Sequence, residues 1–68
     1  MEPGSKWRHY KGNVYALVAL CRLEATKEPH VVYVRAETYP YGEYWCRPLS
    51  EWSEEVAEGT RRFTLLDT

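Results

Sequence analysis

The chain has 68 residues, nine Lys or Arg against ten Asp or Glu, and a formal net charge of −1. A chain this short forms one domain with a thin core, and its 44% hydrophobic and 28% charged residues are typical of a folded domain rather than a disordered segment. The near-neutral charge excludes the broad cationic field with which basic proteins bind nucleic acid non-specifically.

The N-terminal residues contain Pro3 and Gly4 and no apolar run. We expect residues 1–6 to be a loose N-terminus and residues 7–68 to form a single small β domain. No export signal is recognisable, and no segment approaches the roughly 18 apolar residues of a membrane span. The expected location is therefore the cytoplasm, away from membranes.

The turn signal Gly12-Asn13 precedes a long apolar segment, Val14 to Leu23, which predicts the first strand. Both alternating sets of this strand are apolar, so neither of its faces should be freely solvated. After a polar connection, His30 to Thr38 alternates and predicts a second strand. The alternation assigns Val32, Val34 and Ala36 to the core side and Tyr33, Arg35 and Glu37 to the solvent side.

The second half of the chain begins with a turn at Tyr39 to Gly42, and Glu43 to Arg47 then predicts a third strand that Pro48 ends. In the next segment Leu49, Trp52 and Val56 recur at helical spacing, which predicts one or two helical turns with Trp52 packed on the sheet. Arg62 to Leu66 predicts the final strand.

These elements predict a mainly β fold: a small SH3-like antiparallel barrel, or a strongly bent sheet, with one short helical turn before the last strand. Closure or bending would hide the edges of several short strands. The alternative architecture is a three-stranded sheet covered by a single helix.

Four motifs appear along the chain in the order HYKGNVY, VVY, WCRP and RRF. In this order they resemble a family of small bacterial proteins and domains, domain of unknown function sixteen fifty-three, across Trp7 to Leu66. The chain departs from that family's pattern at Arg22-Leu23-Glu24, where a His-Ser-Glu is expected, and at Glu51-Trp52, where Met-Phe is expected. The resemblance implies no assigned activity.

His9 and Lys11 are two residues apart, so in an extended segment they would project to one side, with Arg8 and Tyr10 on the other. With Arg47 from the end of the third strand they form the predicted anion-binding pocket. The structural interpretation of the same residues is that His9 bonds to the backbone, Lys11 is solvated and Gly12 permits a tight turn. The remaining candidate binding residues are Tyr10, Tyr41, Tyr44 and Trp45.

Aromatic residues suggest a second kind of surface, because Tyr39, Tyr41, Tyr44 and Trp52 could together bind a peptide or a cationic group. The competing interpretation is that these rings form the core. Trp45 likewise has a core interpretation, with Arg47 paired to a nearby Glu.

Cys21 and Cys46 lie on separate apolar segments outside any C-x-x-C pair, which predicts two buried free thiols. Together with His9 and His30 they lack the paired close spacing of structural zinc sites. We therefore predict no cofactor, no metal and no catalysis.

The leading functional hypothesis is a small non-catalytic binding or interaction module for a small anion or a peptide or protein partner. An alternative is a nucleotide- or nucleic-acid-binding domain, and a remote alternative is a hydrolase or metal enzyme. Self-association would supplement a thin core, so a homodimer stays open. The nucleic-acid hypothesis would use Arg8, His9, Lys11, Arg47, Arg61 and Arg62.

Overall fold

The computed structural model describes residues 1–66, which form seven short strands and one short helix. No helix in this range is long and apolar enough to cross a bilayer. The elements in chain order are β1 (Lys6–His9), β2 (Val14–Arg22), β3 (Pro29–Arg35), β4 (Trp45–Pro48), α1 (Leu49–Trp52), β5 (Glu55–Ala57), β6 (Thr60–Arg61) and β7 (Phe63–Leu65).

Five strands form one antiparallel sheet in the order β4-β3-β2-β1-β7, and β5 and β6 form a separate hairpin. The predicted mainly β fold with a short helix before the last strands is confirmed. The sheet does not close into a barrel, because β4 and β7 are its two edges. The alternative of three strands under one helix is wrong, since the sheet has five strands and α1 has four residues.

The main core lies on one sheet face, which we call the aromatic face and define by Trp7, Tyr15, Tyr33 and Phe63. Cross-strand pairing places Trp7 opposite Tyr15, and Leu17 opposite Tyr33, so that these side chains project together. The predicted packing of Trp52 is confirmed. Buried core residues on this side are Leu17, Val31, Tyr33, Trp52 and Phe63.

The predicted orientation of β3 is wrong for Tyr33, which is buried on the aromatic face with 8% of its surface exposed. Alternation along β3 does not separate core from solvent here, because residues of both alternating sets, Val31 with Tyr33 and Val34, are buried. The other face is also covered, because Ala16 and Val34 are fully buried. This confirms that neither face of β2 is freely solvated in its first half.

Several element boundaries differ from the predicted ones. β3 ends at Arg35 instead of Thr38, and residues 36–40 form turns. α1 ends at Trp52, and residues 55–57 form β5 where the helical spacing predicted continuation to Val56. The β5–β6 hairpin turns at Gly59, whose φ of 77° lies in the left-handed region, and its N–H donates to Glu55 Oε2 over 3.0 Å.

The sequence patterns did not predict β1, which continues the sheet towards the N-terminus. The backbone before β1 also lies along β2: Gly4 N–H donates to Leu17 O over 2.7 Å, and Leu17 N–H donates to Ser5 O over 2.9 Å. The division of the chain at residues 6 and 7 stays a prediction.

The expected burial of both cysteines is wrong. Cys21 and Cys46 are free and exposed. The end of β2 from Leu20 to Arg22 is exposed, and Cys46 lies on the edge strand β4. An apolar sequence context therefore did not imply burial at either position.

Candidate functional site

The RHYKG segment leads β1 into a tight turn at its end. Lys11 N–H donates to His9 Nδ1 over 3.1 Å, and Gly12 has a φ of 112° that favours glycine. Lys11 is exposed. The backbone hydrogen bond of His9, the exposed Lys11 and the tight turn at Gly12 that the structural interpretation predicted are therefore all present. Whether His9 and Lys11 form a site depends on which other charged side chains lie close to them.

Tyr10 lies against His9 rather than on the opposite side, so this part of the extended-segment prediction is wrong. The two ring centroids are 4.6 Å apart at an interplanar angle of 32°, and Lys11 Nζ lies 5.8 Å from the Tyr10 centroid. The reason is that β1 ends at His9 and the chain turns immediately afterwards. Strict alternation holds only within the strand.

Arg47 reaches the same part of the aromatic face as His9. The His9 ring centroid is 5.0 Å from that of Phe63, and Arg47 Cζ is 5.8 Å from that centroid. Both side chains therefore contact one ring. Arg47 also donates from Nη1 to Glu51 Oε1 over 3.3 Å, and from Nε to Tyr33 Oη over a long 3.5 Å.

Arg62 is a further positive side chain at this position, which the predicted pocket did not include. Its carbonyl accepts a hydrogen bond from Tyr10 N–H over 2.9 Å, and its Nη2 donates to Glu54 Oε1 over 2.5 Å. Its Nε is buried without a hydrogen-bond partner among residues 1–66. Arg62 belongs to the RRF motif, but only the pairing of β1 with β7 places Arg62 beside Tyr10.

The positive charges act directly on His9. Burial lowers the pKa of His9 below its ordinary value of 6.5, and the charges of Arg47, Arg62 and Lys11 lower it further. We call these three residues around His9 the cationic cluster. The hydrogen bond that Arg62 donates to Glu54 is the first cause of the raised pKa of Arg62.

The other aromatic candidates lie away from the cationic cluster or at the border of the aromatic face. Trp45 is opposite Tyr33 and two residues from Arg47, so it borders the aromatic face with half of its surface exposed. Tyr41 is 78% exposed, and Tyr44 donates its hydroxyl to Pro40 O. Among residues 1–66, the aromatic and hydrogen-bond contacts do not connect either tyrosine to the cationic cluster. Trp52 is buried and cannot belong to an exposed aromatic surface.

The six side chains of the nucleic-acid hypothesis do not share one surface. Arg8 is adjacent to His9 in β1 and therefore points to the opposite sheet face. Arg61 donates to Ser53 O over 3.4 Å. Within residues 1–66, no group of three or more His, Cys, Asp or Glu side chains is placed to hold a metal ion.

Comparison with known proteins places the chain in a family. Residues 5–65 match the model described as "Protein of unknown function (DUF1653)". A crystal structure of a DUF1653 protein from Bordetella bronchiseptica is 35% identical, with a TM-score of 0.77, and the match covers 97% of this chain and 87% of that one. No curated protein matches. The chain therefore belongs to the DUF1653 family, as the four motifs predicted.

Proposed function

We propose that this chain is a small binding module whose cationic cluster, together with His9, holds an anionic group. The observation that carries this proposal is geometric: His9 and Arg47 contact the same Phe63 ring, and Tyr10, which packs on His9, lies beside Lys11 Nζ and donates its N–H to Arg62 O. Like charges gathered in this way repel one another in the free protein, and a bound anion removes that repulsion.

Hydrogen-bond donors in the cluster support the same proposal. Glu51 and Glu54 each accept from one terminal nitrogen of a guanidinium, which has five N–H donors in total. The Nη2 of Arg47 makes no hydrogen bond among residues 1–66, whereas the unpartnered Nε of Arg62 is buried. The cluster therefore has donors available for oxygen atoms beyond those of its two carboxylates.

A titration with sulfate tests the proposal, because the charge of sulfate stays constant between about pH 6 and pH 8, the range over which histidine titrates. We expect saturable shifts of the His9 ring signals in NMR spectra, and a rise in the pKa of His9 as sulfate binds. Binding should consequently tighten as the pH falls, since protonated His9 adds a donor and a charge.

Arg47→Gln and Arg8→Gln form a matched pair of variants for this titration. Each removes one positive charge, but Arg8 lies on the opposite face of the sheet. We expect about a tenfold weaker sulfate affinity for Arg47→Gln, the effect of losing one charge-assisted hydrogen bond, and no change for Arg8→Gln. Equal losses would indicate only a general charge effect, and unshifted His9 signals at millimolar sulfate would contradict the site. Oligonucleotide binding that weakens steeply with salt, and that Arg8→Gln also weakens, would favour the nucleic-acid hypothesis instead.

The lowered pKa of His9 also predicts how stability depends on pH. The unfolded chain binds a proton at His9 near pH 6.5, whereas the folded chain resists that proton until the pH is lower. The contribution of His9 is therefore present above 6.5 and is lost as the pH falls through the folded-state pKa. We expect His9→Gln to lose less stability than the parent chain between pH 7 and pH 5, measured by urea unfolding. Parallel pH curves for the two proteins would show that His9 titrates normally in the folded state.

A further inference from the structure

The two edges of the five-stranded sheet differ in how far they are exposed. At the β7 edge Phe63 is only 2% exposed, whereas at the β4 edge Trp45 and Cys46 are both exposed. Natural sheets protect an open edge with lysine, proline, a bulge or a covering segment. Strand β4 has a regular register, contains no lysine, and has its proline as its last residue. The β4 edge is therefore the one that another strand can reach.

The hydrogen bonds between β2 and β3 show which way each residue of β3 points. At one end of this ladder Leu23 N–H donates to Glu28 O over 3.0 Å. At the other end Ala36 N–H donates to Val14 O over 3.1 Å. Because both bonds use an even-numbered residue of the β3 side, the even-numbered residues of β3 direct their N–H and C=O to β2, and the odd-numbered ones direct theirs to β4.

The main-chain groups of Cys46 consequently point away from the sheet. The residues on either side of Cys46 lie opposite odd-numbered residues of β3 and take the bonds to that strand. The N–H and C=O of Cys46 then face the open edge, where no further strand lies within residues 1–66. Pro48 faces the same way, and its missing N–H therefore costs no bond to β3.

A second copy of the chain offers a matching edge. Antiparallel pairing about a two-fold axis at Cys46 lets each Cys46 N–H donate to Cys46 O of the partner. The same register places Tyr44 opposite the partner's Pro48, whose carbonyl accepts although its nitrogen cannot donate. It also places Trp45 beside the partner's Arg47 on the aromatic face, where an aromatic ring and a guanidinium attract each other. The β4 edge is therefore complementary to itself.

Four exposed aromatic residues, which lie in the loop before β4 and at its first position, add area to this edge. An aromatic side chain buries about 150–250 Å², so at exposed fractions between 38% and 78% these four leave roughly 300–550 Å² uncovered. A standard interface buries about 800 Å² on each partner, so the aromatic side chains supply about half of that area. Antiparallel pairing brings this loop of each copy beside α1 of its partner. The four residues are Tyr39, Tyr41, Tyr44 and Trp45.

We propose that the β4 edge joins two copies of this chain into a symmetric dimer with one continuous sheet. The interface is at the small end of the range for dimers, so the expected Kd is on the order of 10 μM. Each copy then contributes its Trp45 to the surface beside the partner's Arg47. The pairing uses main-chain groups of β4 and does not rest on the anion site at His9. Unfolding curves recorded below about 1 μM describe the separate chain.

Sedimentation equilibrium of the parent chain under reducing conditions tests the dimer. We expect the mean mass to rise from that of one chain below about 1 μM to that of two chains above about 100 μM. Cys46→Pro removes the outward N–H, whereas Cys46→Val keeps it, and neither variant removes a hydrogen bond to β3. We expect at least about tenfold weaker association for the proline variant, because two symmetric hydrogen bonds are lost together, and an affinity close to that of the parent for Cys46→Val.

Cys46 and Cys21 form a matched pair of exposed thiols for a second measurement. The two-fold axis places the two Cys46 side chains opposite each other, with Cβ atoms about 5 Å apart. Cys21 lies two strands away from the edge, about 10 Å from β4 in each copy. A short bismaleimide reagent should therefore link Cys21→Ser rapidly into dimers through Cys46, and should link Cys46→Ser only slowly.

Three results would overturn the proposal. These are the mass of a single chain at every concentration up to about 1 mM, equal weakening by Cys46→Pro and Cys46→Val, and faster linking through Cys21 than through Cys46. If Cys46→Pro does not fold, Cys46→Lys places two like charges at the axis. A Cys46→Lys dimer of unchanged affinity would show that the copies meet at another surface.

Discussion

Replacing Trp52 with Ala is expected to destabilise the protein by about 3–5 kcal/mol, the usual cost of removing a buried Trp. Trp52 is 2% exposed and stacks on Phe63 with ring centroids 3.8 Å apart. It also makes edge contacts with Trp7 and Tyr33. Domains have roughly 0.05–0.15 kcal/mol of stability per residue, so this loss is comparable with the whole stability of so short a chain. Thermal and urea unfolding curves measure the effect.

Trp45→Ala is the matched control, because the same ring is removed from a position that is 50% exposed. We expect it to change the free energy of unfolding by no more than about 0.5 kcal/mol, as surface substitutions usually do. Trp52→Phe keeps an aromatic ring and should give an intermediate, measurable loss if Trp52→Ala does not fold. Equal stability of Trp52→Ala and Trp45→Ala would show that α1 does not hold Trp52 in the core.

Gly42→Ala has the second largest expected effect, because two costs combine at this position. Gly42 has a φ of 105°, and a Cβ there would lie 2.6 Å from Thr38 Oγ1 and 3.4 Å from Val34 Cγ2. Backbone strain of this kind costs about 1–3 kcal/mol. Steric overlap with Thr38, whose Oγ1 donates to Arg35 O over 3.1 Å, adds about another 1–3 kcal/mol. Urea unfolding should therefore show a lowered midpoint with an unchanged slope.

Gly12→Ala separates the two costs. Gly12 has a similar φ of 112°, but nothing lies within 4 Å of a Cβ built there. We expect it to lose only the strain contribution, so that Gly42→Ala is the less stable variant. If the two variants lose the same free energy, then Thr38 moves aside and the loop does not pack tightly on Val34.

The sequence alone predicted the mainly β class, the order of strands β2, β3 and β4, and the core position of Trp52. Hydrophobic periodicity, turn residues and proline positions are local signals, and they act over a few neighbouring residues. The four motifs also identified the family, which the match over residues 5–65 confirms. In the candidate site, the proximity of His9, Lys11 and Arg47 was predicted from residue type and order, whereas their role as an anion site stays a prediction.

Tertiary contacts decided the rest, because they depend on residues far apart in the chain. Tyr33 is buried since Leu17 lies opposite it and Trp52 packs against it, which alternation within β3 cannot show. Strand β1 is short, and its pairing with both β2 and β7 gives it a stable place in the sheet.

The same reasoning applies to the charged residues. Arg62 belongs to the cationic cluster because the pairing of β7 with β1 places it beside Tyr10, whereas Arg61 lies in β6 opposite Glu55 and donates to Ser53 O, although the two arginines are adjacent in sequence. Composition and spacing determined which side chains are available, and cross-strand register decided which of them meet. A shift of one residue in a strand moves each of its side chains to the other face, so register carries information that local sequence patterns lack.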